Sequence, residues 1–238
     1  VSTIRELLVQ AEENWGEEIV IRYKSGKGTV AEKSYTDLRK DSEHFSDLLE
    51  TLKVRGEHVA LIGPTSYEWI LSYFGTVNSG SIAVPLDASL PAADVCELVD
   101  RADAVVLVAD EARKDVLEAA RIQCPKLRYL ISMQKTEDGD GILALPKLME
   151  MTLEEMEPGT GARADLQPDQ LASILFTSGT TGKSKGVMLT HRNLAENATC
   201  LDMKFPERSV LLSVLPVHHA YCLSMDILKG ISSGSVIC

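Results

Sequence analysis

Residues 58–87 read HVALIGPTSYEWILSYFGTVNSGSIAVPLD, and this stretch decides the fold class of the chain. The run HVALIG is short and apolar and predicts a buried strand, and SIAVPLD predicts a second one. Between them, SYEWILSYFGTVNSG has the length and composition of a helix. Wholly apolar strands joined through helices are typical of a parallel sheet that helices cover on both faces.

The same alternation extends in both directions along the chain. Toward the C-terminus we predict the helix PAADVCELVDRA with Pro91 in its first turn, the strand ADAVVLVAD, a helix over Glu111–Gln123 and the strand LRYLISM. Toward the N-terminus we predict a helix over Thr36–Leu52, a hairpin in which IVIRYK and TVAEKSY flank Ser25–Gly28, and an N-terminal helix. The sequence therefore predicts an α/β fold of mostly parallel sheets covered by helices.

A loop-like stretch, PGTGARADLQPDQ, divides the chain at residues 158–170. Residues 1–157 would form an α/β subdomain, the stretch 158–170 a linker, and residues 171–238 the start of a second segment. In that segment we expect the strands LASILF and GVMLTH, a helix from about Asn193, the strand SVLLSVLP, another helix and the strand GSVIC. Because the chain stops on an apparent strand, we expect it to be the N-terminal part of a longer protein.

The composition indicates a folded globular protein, with 45% hydrophobic and 25% charged residues. The net charge of −11 disfavours an extended nucleic-acid surface, which needs clustered Lys and Arg. Two stretches lack charged residues, WILSYFGTVNSGSIAVPL and SVLLSVLPVHHAYCLSM. They contain Pro85 and Pro216, respectively, and neither is predicted to span a membrane. The five cysteines and five histidines show no spacing typical of a disulfide framework or a metal site, so we expect a cytoplasmic protein without a structural metal.

A glycine- and hydroxyl-rich loop, Thr177–Gly186, separates LASILF from GVMLTH and reads TSGTTGKSKG. Its Gly182-Lys183-Ser184 is also how a Walker phosphate loop ends. A Walker loop, however, needs glycine where this chain has Thr177, and it continues directly into a helix. GVMLTH instead favours a strand. The loop is therefore either a polar hairpin turn or a polyphosphate site made of backbone N–H groups, hydroxyls and Lys185.

The longer stretch LFTSGTTGKSKGVMLTHRNL resembles the signature loop of the adenylate-forming superfamily, which comprises acyl-CoA synthetases, luciferases and nonribosomal-peptide adenylation domains. That signature reads T-S-G-(S/T)-T-G-x-P-K-G, and the chain departs from it only at Ser184, where proline is usual. The segment 56–91 is similar to the family's early strand, helix and V-P-L-D strand. LPVHHAYC resembles the motif L-P-x-F-H-x-(F/Y)-G, with His219 at the histidine position, His218 replacing the aromatic residue and Cys222 replacing the glycine.

This resemblance implies an AMP-forming acid–thiol ligase, of the type that activates fatty acids. Such an enzyme joins a carboxylate to the α-phosphate of ATP, releases pyrophosphate, and transfers the acyl group to a thiol, so ATP, Mg²⁺ and coenzyme A are the implied cofactors. Lys185 and His219 are the implied catalytic residues, His219 as part of the acyl pocket. The residues implied to hold the β- and γ-phosphates are Thr177, Ser178, Gly179, Thr180, Thr181, Gly182 and Lys185. The simpler alternative for His218 and His219 is packing at the end of a loop.

Three further groups of the family's site do not occur in this sequence: an aromatic-Gly-x-Thr-Glu segment, an Asp for the ribose and a late Lys. We therefore expect residues 1–238 alone to be inactive. Activity would need the C-terminal portion of the same chain, and the substrate would be a small carboxylic acid. Two alternatives stay open. The protein could be a non-catalytic nucleotide- or acyl-binding module, or it could activate amino or aryl acids and use a carrier-protein thiol.

Overall fold

The computed structural model describes residues 1–24, 28–155, 165–177, 184–200, 205–206 and 208–238. Their helices are α1 (Ile4–Trp15), α2 (Tyr35–Thr51), α3 (Tyr67–Asn78), α4 (Ala92–Arg101), α5 (Lys114–Gln123), α6 (Leu145–Glu155) and α7 (His191–Cys200). A π-helical segment, Cys222–Lys229, runs into a final helical turn, Gly230–Ser232. The strands are β1 (Ile19–Lys24), β2 (Val30–Ser34), β3 (His58–Ile62), β4 (Ile82–Leu86), β5 (Ala104–Ala109), β6 (Tyr129–Ser132), β7 (Leu143–Ala144), β8 (Leu171–Thr177), β9 (Lys185–Thr190), β10 (Val210–Leu211) and β11 (Val236–Ile237).

Side-chain caps explain where several of these helices begin. Before α2, Ser34 and Asp37 each accept a hydrogen bond from the other's backbone amide, which satisfies two donors that the first helical turn leaves open. Thr190 and Asn193 form the same reciprocal pair at the start of α7. This pair places the beginning of α7 at His191, two residues before the predicted Asn193.

The larger sheet has seven strands in the order β7-β6-β5-β3-β4-β8-β9. Its strands pair in parallel except for β8 and β9, which form an antiparallel hairpin. β3 lies at the centre, with Val59 opposite Ala83 of β4 and opposite Val106 of β5. The predicted mostly parallel α/β architecture is confirmed.

Alternating side chains of β3 enter two separate apolar cores, one on each face of this sheet. Val59 and Leu61 join the core that contains α2 and α3. Ala60 and Ile62 join the core formed with α4 and α5. Burial on both faces explains why Val59–Ile62 are all apolar, since neither face of the strand meets water there.

A second sheet joins the two ends of the chain, with four strands in the order β10-β11-β1-β2. β1 and β2 form the predicted antiparallel hairpin, although Ser25, Gly26 and Lys27 lie outside the described residues. β11 runs parallel to β1, with Ile237 opposite Ile21. The Tyr35 hydroxyl donates a 2.8 Å hydrogen bond to the Ser235 carbonyl and ties α2 to this C-terminal strand.

Three predicted elements differ from the structure. The predicted strand over residues 209–216 is reduced to Val210–Leu211; the Ser213 amide still donates a hydrogen bond to the Cys238 carbonyl, but Leu212 and Val214 are exposed. The predicted helix over 111–123 begins as a 3-10 turn, since Asp110 caps the Ala112 amide, and becomes α-helical only at Lys114. Pro91 lies directly before α4 rather than inside its first turn.

The division into residues 1–157, 158–170 and 171–238 stays a prediction. Of the predicted linker, residues 158–164 lie outside the described part of the chain. β8 and β9, from the third segment, pair with the same sheet as β3 to β7. Among the helices described, none is both long and apolar enough to cross a bilayer.

Candidate active site

The predicted phosphate loop connects β8 to β9, the last two strands at one edge of the larger sheet. Ser178, Gly179, Thr180, Thr181 and Gly182, with Lys183, lie outside the described residues. At the base of the loop Thr177 pairs with Lys185, and the Thr177 hydroxyl is 3.5 Å from the Lys185 carbonyl oxygen. The residues after the loop form a strand and not a helix. A Walker loop continues directly into a helix, so this chain does not meet that requirement.

Glycine at position 186 allows the two strands of this hairpin to approach closely. A β-carbon built on Gly186 would lie 2.9 Å from Cγ2 of Ile174, closer than side chains tolerate. The motif glycine is therefore a packing requirement of the strand that carries Lys185.

Arg101 of α4 holds the C-terminal side of the same loop. Its guanidinium donates a 2.7 Å hydrogen bond to the Ser184 carbonyl and lies 5.7 Å from the centre of the Phe176 ring. The cation–π contact and the hydrogen bond fix the position at which the chain enters β9. The loop motif gave no indication of Arg101, because this contact joins residues 83 positions apart.

A cavity of about 360 Å³ lies beside the loop, at the carboxyl ends of β4 and β8. In parallel α/β sheets this edge is the usual place for ligands. The lining of the cavity combines apolar and polar groups, with backbone or side chains contributed by Pro85, Asp87, Leu90, Leu98, Leu175, Phe176, Thr177, Ser184, His218, His219 and Ala220. The structure therefore brings the first residue of the phosphate loop and both motif histidines to one cavity.

The two motif histidines occupy different environments. His219 is exposed, and its backbone amide donates a 2.9 Å hydrogen bond to the Pro216 carbonyl in the turn before the π-helical segment. His218 is mostly buried, with its ring centre 6.2 Å from that of His219. Its Nε2 lies 3.6 Å from Oδ2 of Asp87. Lys185, by contrast, is exposed at the start of β9 and is not one of the described residues that line the cavity.

Asp87 is a site residue to which the motifs assigned no role, although it ends the V-P-L-D segment directly after β4. Its Oδ1 accepts 2.7 Å hydrogen bonds from both the amide and the hydroxyl of Ser89. Arg113 holds the same turn by donating to the carbonyls of Ala88 and Leu90, at 2.6 and 2.9 Å. The position of Asp87 at the end of a predicted parallel strand was the signal that the sequence offered.

The charge states of Asp87 and His218 follow from their surroundings. Burial on its own would raise the pKa of Asp87, but the hydrogen bonds from Ser89 and the charges of His218 and Arg113 hold it below its usual value. Burial lowers the pKa of His218; Asp87 opposes this effect and His219 adds to it. At neutral pH the pair is therefore an ionised carboxylate beside a neutral imidazole.

The described residues do not form a magnesium site of their own. Among them there is no cluster of three or more His, Cys, Asp or Glu side chains that could hold a metal ion. Asp87 is the only carboxylate among the described residues that line the cavity, and it already accepts from Ser89. No step below depends on a metal held by this part of the chain.

The sequence of the chain is similar to a known enzyme family and to individual members of known function. Residues 8–238 match the family model described as AMP-binding enzyme. The chain is 28% identical over 239 aligned residues to a crotonobetaine/carnitine–CoA ligase of Escherichia coli, an alignment that covers 98% of this chain and 45% of that protein. The chain thus spans about half the length of the curated relatives it matches.

Two solved structures are similar in fold. The anthranilate CoA ligase AuaEII, in complex with anthranoyl-AMP, aligns with a TM-score of 0.87 at 19% identity over 99% of this chain and 44% of that one. The inhibitor-bound N-terminal domain of FACL13 from Mycobacterium tuberculosis aligns with a TM-score of 0.82 at 22% identity, over 100% of this chain and 56% of that one. At these identities the likeness concerns the fold alone.

Proposed function

The chain belongs to the AMP-binding enzyme family, and from this premise we propose that it is the N-terminal part of an AMP-forming acid–thiol ligase. The observation that carries the proposal is the shared cavity: Thr177, at the start of the loop, and the histidines of the LPVHHAYC motif line one space at the carboxyl edge of the sheet. A polar hairpin turn without a ligand would not need to face such a cavity.

In the proposed reaction the carboxylate oxygen of the acid attacks the α-phosphate of ATP, and the bond to pyrophosphate breaks. The thiol of coenzyme A then attacks the acyl carbon, and AMP leaves. The loop from Thr177 to Gly182, with Lys185, would hold the β- and γ-phosphates, and His219 would line the acyl pocket. This chemistry asks the protein mainly to position charged groups and to stabilise them.

We propose a fatty acid as the substrate. The apolar residues of the cavity lining support this choice, since Leu90, Leu98, Leu175 and Phe176 offer no charged partner to a substrate tail. Relatives named for other acids, a crotonobetaine/carnitine–CoA ligase and an anthranilate CoA ligase, make short charged and aromatic acids the competing classes.

The experiment is product analysis with the full-length protein, ATP, Mg²⁺ and coenzyme A. It uses a panel of short, long, aromatic and amino acids and detects AMP and acyl-CoA by mass spectrometry. We expect equal amounts of AMP and one class of thioester, with long-chain acids preferred. Production of ADP would contradict an AMP-forming ligase, and no product from folded protein that binds ATP would favour a non-catalytic binding module. Residues 1–238 alone are expected to form no thioester.

A further inference from the structure

We propose that His218, supported by Asp87, is the base that takes the proton from the acceptor thiol during acyl transfer. This inference rests on the proposed function and adds a residue role to its second half-reaction. It arises from three independent features: a carboxylate in a fixed position, a buried imidazole with an unused nitrogen, and a cavity that both share with the phosphate loop.

The carboxylate is fixed before any substrate binds. Ser89 engages Oδ1 of Asp87 twice, and Arg113 holds the backbone of the same turn at Ala88 and Leu90. Arg113 is itself held by Asp115 at 2.9 Å. The second oxygen, Oδ2, is the one that lies toward His218. A carboxylate held in this way orients an imidazole and stabilises its protonated form, as in a catalytic triad.

The imidazole has one nitrogen near Asp87 and one without a partner. Nε2 lies 3.6 Å from Oδ2, beyond hydrogen-bond length but within reach of a small ring movement when substrate closes the site. Nδ1 is buried and has no hydrogen-bond partner among the described residues. A buried polar atom without a partner is unfavourable, and the proposed role requires that the ring movement that brings Nε2 to Asp87 also exposes Nδ1 to a hydrogen-bond donor in the cavity.

The residue type at this position separates the chain from the family motif that it otherwise resembles. That motif carries an aromatic residue where this chain has His218. An aromatic hydrocarbon ring cannot accept a proton, whereas a neutral imidazole can. The proposed role is therefore specific to chains that combine histidine here with an acidic residue after β4.

In the transfer step the thiol loses its proton and AMP is the leaving group. The S–H proton of the thiol moves to Nδ1 of His218, and the sulfur attacks the acyl carbon of acyl-AMP. The bond between that carbon and the phosphate oxygen breaks, so that AMP leaves with the electron pair. The imidazolium that forms is stabilised by Asp87 through Nε2–H until the proton passes to solvent. Because a free thiol has a pKa of about 8.5, only a few per cent is thiolate at pH 7, and a base in the site increases that fraction.

The test separates the two half-reactions of the full-length protein. Acid-dependent pyrophosphate exchange reports adenylation and needs no thiol. Single-turnover mixing of enzyme-bound acyl-AMP with coenzyme A reports acyl transfer, and it is run from pH 5.5 to pH 9. The variants are His218→Phe, which supplies the aromatic residue of the motif, and Asp87→Asn. His58→Gln is the matched control, because His58 lies at the opposite end of its strand from the cavity.

For His218→Phe we expect the ratio of the transfer rate to the exchange rate to fall by about 100- to 10,000-fold at pH 7. The deficit should shrink as the pH rises toward the pKa of the thiol, because the thiol then ionises without a base. Asp87→Asn should lower the same ratio by a smaller factor, and His58→Gln should leave it unchanged.

Two outcomes would overturn the inference: an unchanged ratio in His218→Phe, or a deficit that is the same at every pH, as a packing role would give. Absence of exchange by the wild-type protein with any acid would instead contradict the proposed function itself.

Discussion

His191 is completely buried at the start of α7, where its Nδ1 accepts a hydrogen bond from the Ile4 amide at 3.4 Å. Burial and the nearby positive charge of Arg5 lower its pKa to about 4. The folded protein therefore keeps this imidazole neutral under conditions in which an unfolded chain would protonate it. The structure thus gives this histidine a packing role that depends on pH.

His191→Gln should make the stability of the protein less sensitive to acid. Because the folded pKa lies below the unfolded value of about 6.5, the wild type loses stability as the pH falls from that value toward 4. Between pH 7 and pH 5 this group contributes a loss of about 2 kcal/mol in the free energy of unfolding. Urea unfolding of both proteins at the two pH values measures the difference. Parallel losses in the two proteins would show that His191 titrates normally.

At this scale the sequence predicted those residues that belong to a local motif. Thr177 and His219, which the motifs singled out, line one cavity, and their roles stay predictions. Asp87, Arg101 and Arg113 escaped notice because their importance comes from partners distant in sequence or in a neighbouring turn. No periodicity or spacing encodes such contacts.

At the scale of elements, α3 and α2 approach each other closely at Gly75. A β-carbon on Gly75 would lie 2.5 Å from Cβ of Phe45 and 2.8 Å from the carbonyl oxygen of Ser42. The Ser46 hydroxyl donates a 2.7 Å hydrogen bond to the Gly75 carbonyl at the same crossing. The absence of a side chain thus lets the two helices pack backbone to backbone.

Gly75→Ala should therefore destabilise the protein although alanine favours helix. The gain in helix propensity is about 1 kcal/mol, whereas forcing two packed helices apart costs about 1–3 kcal/mol. We expect a net fall in the denaturation midpoint, measured by circular dichroism. Glu118→Ala on the exposed face of α5 serves as control and should change little. A more stable Gly75→Ala protein would show that α2 and α3 can separate without cost.

The sequence predicted the elements with strong local patterns and missed the boundaries that tertiary contacts decide. The run SVLLSVLP has strand composition, yet the strand it forms beside β11 is limited to Val210 and Leu211, with one further backbone hydrogen bond from Ser213 to Cys238. The last helix was expected, but its π-helical form over Cys222–Lys229 was not. An additional residue per turn depends on packing around the segment, which apolar spacing does not reveal.

At the scale of the whole molecule, the first and last elements of the chain are packed against each other. β11 lies beside β1, and the turn before β11 passes over the ring of Trp15 at the end of α1. Gly234 in this turn has a φ of 71°, and a β-carbon there would lie 2.5 Å from Cε2 of Trp15. The α/β class followed from the alternation of strands and helices, but this closure of the chain did not, because β1 and β11 are separated by most of the sequence.

Gly234→Ala should cost more than the same change at Gly56. Both glycines have positive φ, but nothing lies within 4 Å of a β-carbon on Gly56. Each substitution carries a backbone cost of about 1–2 kcal/mol, and Gly234→Ala adds a collision worth about 1–3 kcal/mol. Urea unfolding followed by tryptophan fluorescence compares the two, and only Gly234→Ala should alter the native emission of Trp15. Equal losses would contradict the packing of the turn on Trp15.

The measurement that tests the central claim most directly is acid-dependent exchange of pyrophosphate into ATP by the full-length protein, with Lys185→Ala and Lys183→Ala alongside. An AMP-forming ligase predicts exchange that requires a carboxylic acid, that falls by about 100-fold or more without the Lys185 charge, and that largely survives the loss of Lys183. Exchange that requires Lys183 and not Lys185 would contradict the assignment of the loop. No exchange with any acid, from folded protein that binds ATP, would contradict the ligase itself.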